Sequence, residues 1–165
     1  MTAAFQLGLR YGLVIGILTM VDIYVGTMTG VARTHWMFAQ TVLGLLTMYL
    51  CGWAGMKAFA PSGGRLWASG LAGGLAGLIG TMLFTFTLLT VSYGLTDQLR
   101  QFPFASADLA KSGQSAAEYV RSAQGARDLW NVVISGLLRS PLGAGFGAIG
   151  GLIARSVGMM EPRTQ

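Results

Sequence analysis

Three long apolar runs, separated by short polar connections, restrict this chain to a membrane fold. They extend from Tyr11 to Gly30, from Trp36 to Phe59 and from Leu66 to Gly94. A helix of about 20 residues crosses a hydrocarbon core of roughly 30 Å, and each run is long enough to do so. A soluble domain carries about a quarter charged residues, whereas this chain of 165 residues is 53% hydrophobic and 10% charged. We therefore predict an integral membrane protein.

The last apolar part of the chain allows two interpretations, because the polar segment 139–141 divides it. In the first, one kinked helix over 129–155 forms a fourth span, in which Pro141 removes a backbone hydrogen bond and Arg139 lies at membrane depth. In the second, residues 115–139 form an interfacial amphipathic helix and only about 17 residues after Pro141 cross the membrane, close to the lower limit for a span.

The tryptophans favour the first interpretation, since Trp concentrates at both membrane–water interfaces. With a fourth span, each of them lies near one end of a span: Trp36, Trp53, Trp67 and Trp130. We therefore predict an all-α polytopic membrane protein. Its single domain, 1–165, contains four transmembrane helices at 11–30, 36–59, 66–94 and 129–155.

A charged insert, residues 95–128, separates spans three and four. It contains four basic and four acidic residues. From Ala116 to Leu137 apolar residues recur at spacings of three and four, the period of a helix with one apolar stripe. We expect a helix around Ala116 to Trp130 that lies along the membrane surface or leads into the membrane.

Four spans place both termini in one compartment. The short connection between spans two and three is flanked by Lys57 and Arg65, and basic residues mark the cytoplasmic side of short connections. We expect a multi-pass protein of a bacterial inner (plasma) membrane with cytoplasmic termini. The 11 basic residues are spread singly along the chain, which argues against a nucleic-acid-binding patch.

Glycines at four-residue spacing recur in three spans and predict close helix packing. Such ridges either pack the bundle against itself or associate laterally with a second copy or with other membrane subunits. The predicted packing glycines are Gly8, Gly12, Gly16, Gly70, Gly73, Gly74, Gly77, Gly143, Gly147 and Gly151.

Two charges fall within the predicted spans, Asp22 near the middle of span one and Arg139 in span four. An unpaired charge in hydrocarbon is unfavourable, so we predict an intramembrane ion pair between them. The alternative is that Asp22 lines an ion path.

Few residues are available for catalysis or for binding a cofactor. One cysteine and one histidine exclude a disulfide, a multi-cysteine zinc site and bis-histidine haem ligation within the chain. Cys51 is expected to be a small buried hydrophobe, and His35 would bind a single pigment or haem only if it lay within the apolar layer. No catalytic motif is present, so we predict no enzyme activity, no catalytic or metal site and no cofactor.

The order of these parts resembles an uncharacterised domain-of-unknown-function family of small four-span bacterial membrane proteins. The resemblance is carried by the basic, aromatic and glycine residues of 10–16, the basic turn 57–65, the glycine-rich span three and the charged insert. It implies a fold and a compartment only. Our first hypothesis is a non-enzymatic structural or accessory subunit that associates through its glycine ridges. The alternatives are a small oligomeric channel or transporter that uses Asp22 and, more remotely, a pigment- or haem-binding subunit.

Overall fold

The computed structural model describes residues 2–29, 32–94 and 137–158, together with single positions between 111 and 134. For residues 2, 26–29, 32–37, 40 and 88–94 it describes the backbone alone. All regular secondary structure in the described residues is helical. The long helices are α1 (Thr2–Thr29), α2 (Ala32–Phe59), α3 (Leu66–Gly94) and α4 (Arg139–Ser156).

Three of these helices are long and apolar enough to cross a membrane. The apolar stretches are Ala3–Val25 in α1, Thr41–Phe59 in α2 and Leu66–Thr87 in α3. Helix α4 is not among them, because two arginines and five glycines in its 18 residues lower its mean hydropathy. The structure thus confirms a helical protein with three helices that are long and apolar enough to span a membrane, while the fourth span stays a prediction.

Helix α1 begins nine residues before the predicted span, at Thr2 rather than at residue 11. Its first turns are apolar, and the one interrupting charge, Arg10, is exposed and long enough to reach toward the membrane surface. The apolar stretch is therefore shifted toward the N-terminus. Asp22 lies three residues before the end of that stretch at Val25.

The connection between α2 and α3 is tight because two glycines end α2. Gly63 and Gly64 have φ values of 69° and 77°, in the left-handed region that favours glycine. The Gly64 N–H donates to the carbonyl of Phe59 at 2.9 Å, and the Ser62 N–H donates to that of Ala58 at 3.2 Å. The last carbonyls of α2 are therefore satisfied within the turn.

Helix α3 packs against the other three helices and uses different faces for α1 and α4. The α1 face carries Ala72, Ala76 and larger side chains, whereas the α4 face carries Gly73 and Gly77. Helices α1 and α3 run parallel, as do α2 and α4, and the two pairs are antiparallel. The bundle is filled by small side chains, which lets the helices approach closely; the buried alanines are Ala4, Ala54, Ala58, Ala68, Ala72, Ala76 and Ala154.

The chain enters α4 in a helical conformation. Leu138 has φ −64° and ψ −18°, and its N–H donates to the carbonyl of Ile134 at 3.1 Å. A Cβ added to Gly77 would lie 3.0 Å from the carbonyl oxygen of Arg139, so α4 begins level with the middle of the apolar stretch of α3. Half of the positions in 129–138 lie outside the described residues, and the two interpretations of that segment both remain predictions.

Candidate functional site

The glycines of α1 receive large side chains from α3. A Cβ added to Gly8 or to Gly12 would lie 2.7 Å from the Cβ of Leu75 or of Ile79, respectively. At Gly16 the added atom would lie 2.8 Å from the Cβ of Leu83 and would collide with its Cδ1. Each glycine thus leaves space for one branched side chain of α3. We call this contact between α1 and α3 the side-chain seam.

Three glycines of α4, Gly143, Gly147 and Gly150, lie instead against the backbones of α2 and α3. A Cβ added to Gly147 would lie 2.5 Å from the carbonyl oxygen of Ser69 and 2.9 Å from the Cα of Gly73. A Cβ added to Gly150 would collide with the carbonyl oxygen of Gly52, and one added to Gly55 would collide with the backbone of Gly147. We call these contacts of α4 the backbone seam.

All ten predicted packing glycines contact another helix of the same chain. The loosest is Gly70, where an added Cβ would lie 3.5 Å from the carbonyl oxygen of Ala144, an ordinary van der Waals distance. Lateral association through these glycines would have to replace contacts that already hold the bundle together.

The two predicted intramembrane charges lie in different surroundings. The guanidinium carbon of Arg139 lies 5.3 Å from the centroid of the Phe84 ring, within the range of a cation–π contact. Asp22 lies on α1, half-buried. The register of Gly16 with Leu83 places Asp22 about 8 Å beyond Phe84 along the bundle. The described residues place Arg139 against Phe84, and the ion pair between Arg139 and Asp22 stays a prediction.

His35 and Cys51, the residues considered for a cofactor, both lie on α2. The side chain of His35 lies outside the described residues. Cys51 is buried, and its Sγ lies 3.3 Å from the position of a Cβ added to Gly143. Within the described part of the chain, histidine, cysteine, aspartate and glutamate side chains form no group of three that could hold a metal ion.

Ser115 and Glu118 form a capping box in the insert. The Ser115 hydroxyl and backbone N–H donate to the Glu118 carboxylate at 2.7 and 3.0 Å, and the Glu118 N–H donates to the Ser115 hydroxyl oxygen at 3.3 Å. These bonds lower the pKa of Glu118. The spacing S-x-x-E is the signal that would have marked this helix start. Most of the helix predicted over 116–130 lies outside the described residues, among which Ser122 is a bend.

An apolar groove lies on the outside of the bundle between α2 and α4. Its volume is about 540 Å³, within the range of about 300–1,000 Å³ for small-molecule sites. Helix α2 lines it with Leu45, Met48, Tyr49, Gly52, Trp53 and Met56. Helix α4 lines it with Phe146, Ile149, Gly150 and Ile153. We call it the α2–α4 groove.

The groove has an aromatic wall with a positive charge at one end. The rings of Tyr49 and Trp53 stack with centroids 5.9 Å apart. The Lys57 Nζ lies 5.3 Å from the centroid of the Trp53 ring. Lys57 is exposed and immediately follows Met56, so its ammonium group lies beside the groove where α2 approaches its C-terminal end.

No protein family, curated protein or solved structure matches this chain. The resemblance to a family of small four-span bacterial proteins therefore stays a prediction, and any functional argument rests on the geometry.

Sequence reasoning did not predict the groove. Its α2 residues recur at spacings of three and four, the period of one helix face. In a soluble helix that period would stand out against polar residues on the other face. Because α2 is apolar on nearly all sides, the groove face has no such contrast.

Proposed function

We propose that this protein is a non-enzymatic structural or accessory component of a membrane, and that it holds a membrane-embedded ligand laterally in the α2–α4 groove. The observation that carries the proposal is a contrast within the bundle. The ridge glycines are occupied by contacts within the chain, whereas in the part of the chain that the structure describes the apolar groove is open on the outside. This moves the expected binding surface from the glycine ridges to the groove.

The backbone seam supports the groove as a binding site. Gly52 and Gly150 both line the groove, and their backbones are in contact. Because close-packed backbones do not rearrange as side chains do, the floor of the groove has a fixed shape. A site that is formed before its ligand arrives avoids part of the entropy loss of ordering.

We further propose that the last helix completes a fourth crossing over 129–155, and that the protein resides in a bacterial inner membrane with cytoplasmic termini. The helical hydrogen bond between Leu138 and Ile134 supports a helix that continues into α4. Lys57 and Arg155 lie in the last turns of the parallel helices α2 and α4, and therefore at one end of the bundle. That shared charge supports a cytoplasmic assignment for this end.

Photo-crosslinking in native membranes tests the proposal. A photoreactive amino acid at Ile149, which is half exposed in the groove, should give a discrete adduct. The same probe at Ile17, exposed on α1, should give only a diffuse background. Gly52→Leu should abolish the Ile149 adduct because its side chain fills the groove. Gly44→Leu should preserve it, since nothing lies within 4 Å of a Cβ at Gly44. Identical adduct patterns at Ile149 and Ile17 would contradict the proposal.

A further inference from the structure

We propose that the ligand of the α2–α4 groove is a phospholipid, with one acyl chain in the groove and its phosphate beside Lys57, and that anionic phospholipids are preferred. This inference rests on the proposed function, because it names the occupant of the same groove. It is carried by the position, the surface chemistry and the charged end of the groove.

The groove lies in one half of the bundle. Cys51 of α2 is level with Gly143, and Gly143 is level with Gly73 of α3. Helix α4 begins level with Gly77, at the middle of the apolar stretch Leu66–Thr87. The groove wall that α4 supplies therefore runs from near the middle of the bundle toward the α2–α3 connection.

The length of the groove fits a lipid chain better than a transmembrane helix. Along α2 it extends from Leu45 to Met56, about 17 Å at 1.5 Å per residue. One leaflet contributes about half of a hydrocarbon core of roughly 30 Å, whereas a crossing helix needs the whole thickness. A groove of this length and position accommodates a chain that enters from one membrane surface.

The surface chemistry suits a flexible apolar chain. Met48 and Met56 supply adaptable side chains, and Phe146 and Ile149 supply apolar area on the opposite wall. The stacked rings of Tyr49 and Trp53 form a flat surface along which methylene groups can lie.

The charged end of the groove suits a phosphate. The ammonium of Lys57 is exposed and lies over the Trp53 ring, which itself lines the groove. Tryptophan and lysine at the end of a span mark the level of lipid headgroups. The carbonyls of Ala58 and Phe59 accept hydrogen bonds from the following turn, so these acceptors are already engaged. One lysine at an anionic membrane surface corresponds to about a fivefold preference.

Native mass spectrometry of the full chain in mild detergent provides the test. The probes are phosphatidylglycerol and phosphatidylcholine with identical acyl chains, titrated separately. We expect one tightly bound lipid per chain, with phosphatidylglycerol bound about fivefold more tightly. Lys57→Gln should remove this preference and leave phosphatidylcholine binding unchanged. Lys111→Gln is the matched control, because Lys111 is exposed in the insert, and it should keep the preference.

A second pair of variants tests the acyl chain. Gly52→Leu should lose the tightly bound lipid of either class, while Gly44→Leu should keep it. A Cβ at Gly52 would lie 3.5 Å from the nearest atom, the carbonyl oxygen of Phe146, so the bundle accommodates the first side-chain atom. Met48→Trp fills the same groove from a partly exposed position and repeats the test independently. Circular dichroism confirms that each variant is folded.

Unchanged lipid affinity in folded Gly52→Leu and Met48→Trp would overturn the lipid assignment. Unchanged preference in Lys57→Gln would overturn the placement of the phosphate. A crosslinked adduct of protein mass at Ile149, together with unchanged lipid affinity, would overturn this inference and leave the groove function standing. Absence of any discrete adduct at Ile149 would overturn both.

Discussion

The two seams of the bundle use glycine in different ways. In the side-chain seam, glycines of α1 receive Leu75, Ile79 and Leu83 from α3. In the backbone seam, glycines of α4 meet the backbones of α2 and α3. A side chain can change rotamer or be truncated, whereas a backbone moves only with its helix. At Gly16, where the Cγ and Cδ1 of Leu83 are among the nearest atoms, the contact can therefore adjust in part, whereas the contact at Gly147 cannot.

The largest expected effect is in the backbone seam. Gly147→Ala places a Cβ 2.5 Å from the carbonyl oxygen of Ser69 and 2.9 Å from the Cα of Gly73, so α3 and α4 must separate. We expect the free energy of unfolding to fall by about 3 kcal/mol, the upper end for overpacking. Reversible unfolding in mixed micelles, followed by circular dichroism, measures it.

Gly145→Ala is the matched control in the same helix, since nothing lies within 4 Å of its added Cβ. Its free energy of unfolding should be unchanged or raised by up to about 1 kcal/mol, because alanine favours a helix over glycine. Equal losses in the two variants would show that close approach at Gly147 does not hold α4 in place.

A smaller and repairable effect is expected in the side-chain seam. Gly16→Ala meets mainly the side chain of Leu83, and we expect a loss of about 1–2 kcal/mol. Leu83→Ala removes the Cγ and Cδ1 atoms and leaves the Cβ, so the double variant should be more stable than the sum of the single effects predicts, by about 1 kcal/mol. Unfolding of all four proteins gives the coupling.

The backbone seam should not be repaired in this way. Ser69→Ala leaves its carbonyl oxygen in place, so Gly147→Ala should remain as destabilising in that background. Rescue by Ser69→Ala would contradict the distinction between the two seams.

The sequence predicted most of the helices because the signals for them are local. The apolar run and the turn before it predict the bounds of α3, Leu66–Gly94, as observed. Helix α1 begins before the predicted span, because a single exposed arginine such as Arg10 can lie inside a helix that continues to Thr2. The depth of Asp22 in the membrane stays a prediction.

The partners of the glycines could not be predicted, because they depend on how the helices are arranged. The spacing marks Gly16 and Gly147 alike, but whether each meets a side chain or a backbone is decided by the register of the neighbouring helix. The same limit applies to Arg139, whose contact with Phe84 the sequence did not predict. A contact between helices requires their relative rotation, which hydrophobic periodicity does not specify when a helix is apolar on most sides.

At the first residue of α4, Arg139, a side chain contacts α3. Arg139 lies over the Phe84 ring, so a double-mutant cycle of Arg139→Gln and Phe84→Leu should give a coupling of about 1 kcal/mol. A parallel cycle with Asp22→Asn measures the ion pair predicted from the sequence. Because the helix register separates Asp22 from Phe84 by about 8 Å, we expect the smaller coupling there. A larger coupling with Asp22 would favour the ion pair.

The smallest expected effect separates hydrogen bonding from close packing within the backbone seam. The Ser140 hydroxyl donates to the carbonyl oxygen of Gly74 at 3.2 Å and so links α4 to α3. Side-chain hydrogen bonds between membrane helices average about 0.6 kcal/mol, because the unfolded chain in a membrane also finds partners. We expect Ser140→Ala to lower the free energy of unfolding by about that amount.

Ser156→Ala is the control, since the Ser156 hydroxyl is exposed and donates to the carbonyl of Ile153 in its own helix at 2.8 Å. Its unfolding free energy should be nearly unchanged. If Ser140→Ala were as destabilising as Gly147→Ala, a polar link rather than backbone contact would hold α4 to α3. The seam would then tolerate small side chains at its glycines wherever that hydrogen bond is kept, and Gly147→Ala in the wild-type background tests this directly.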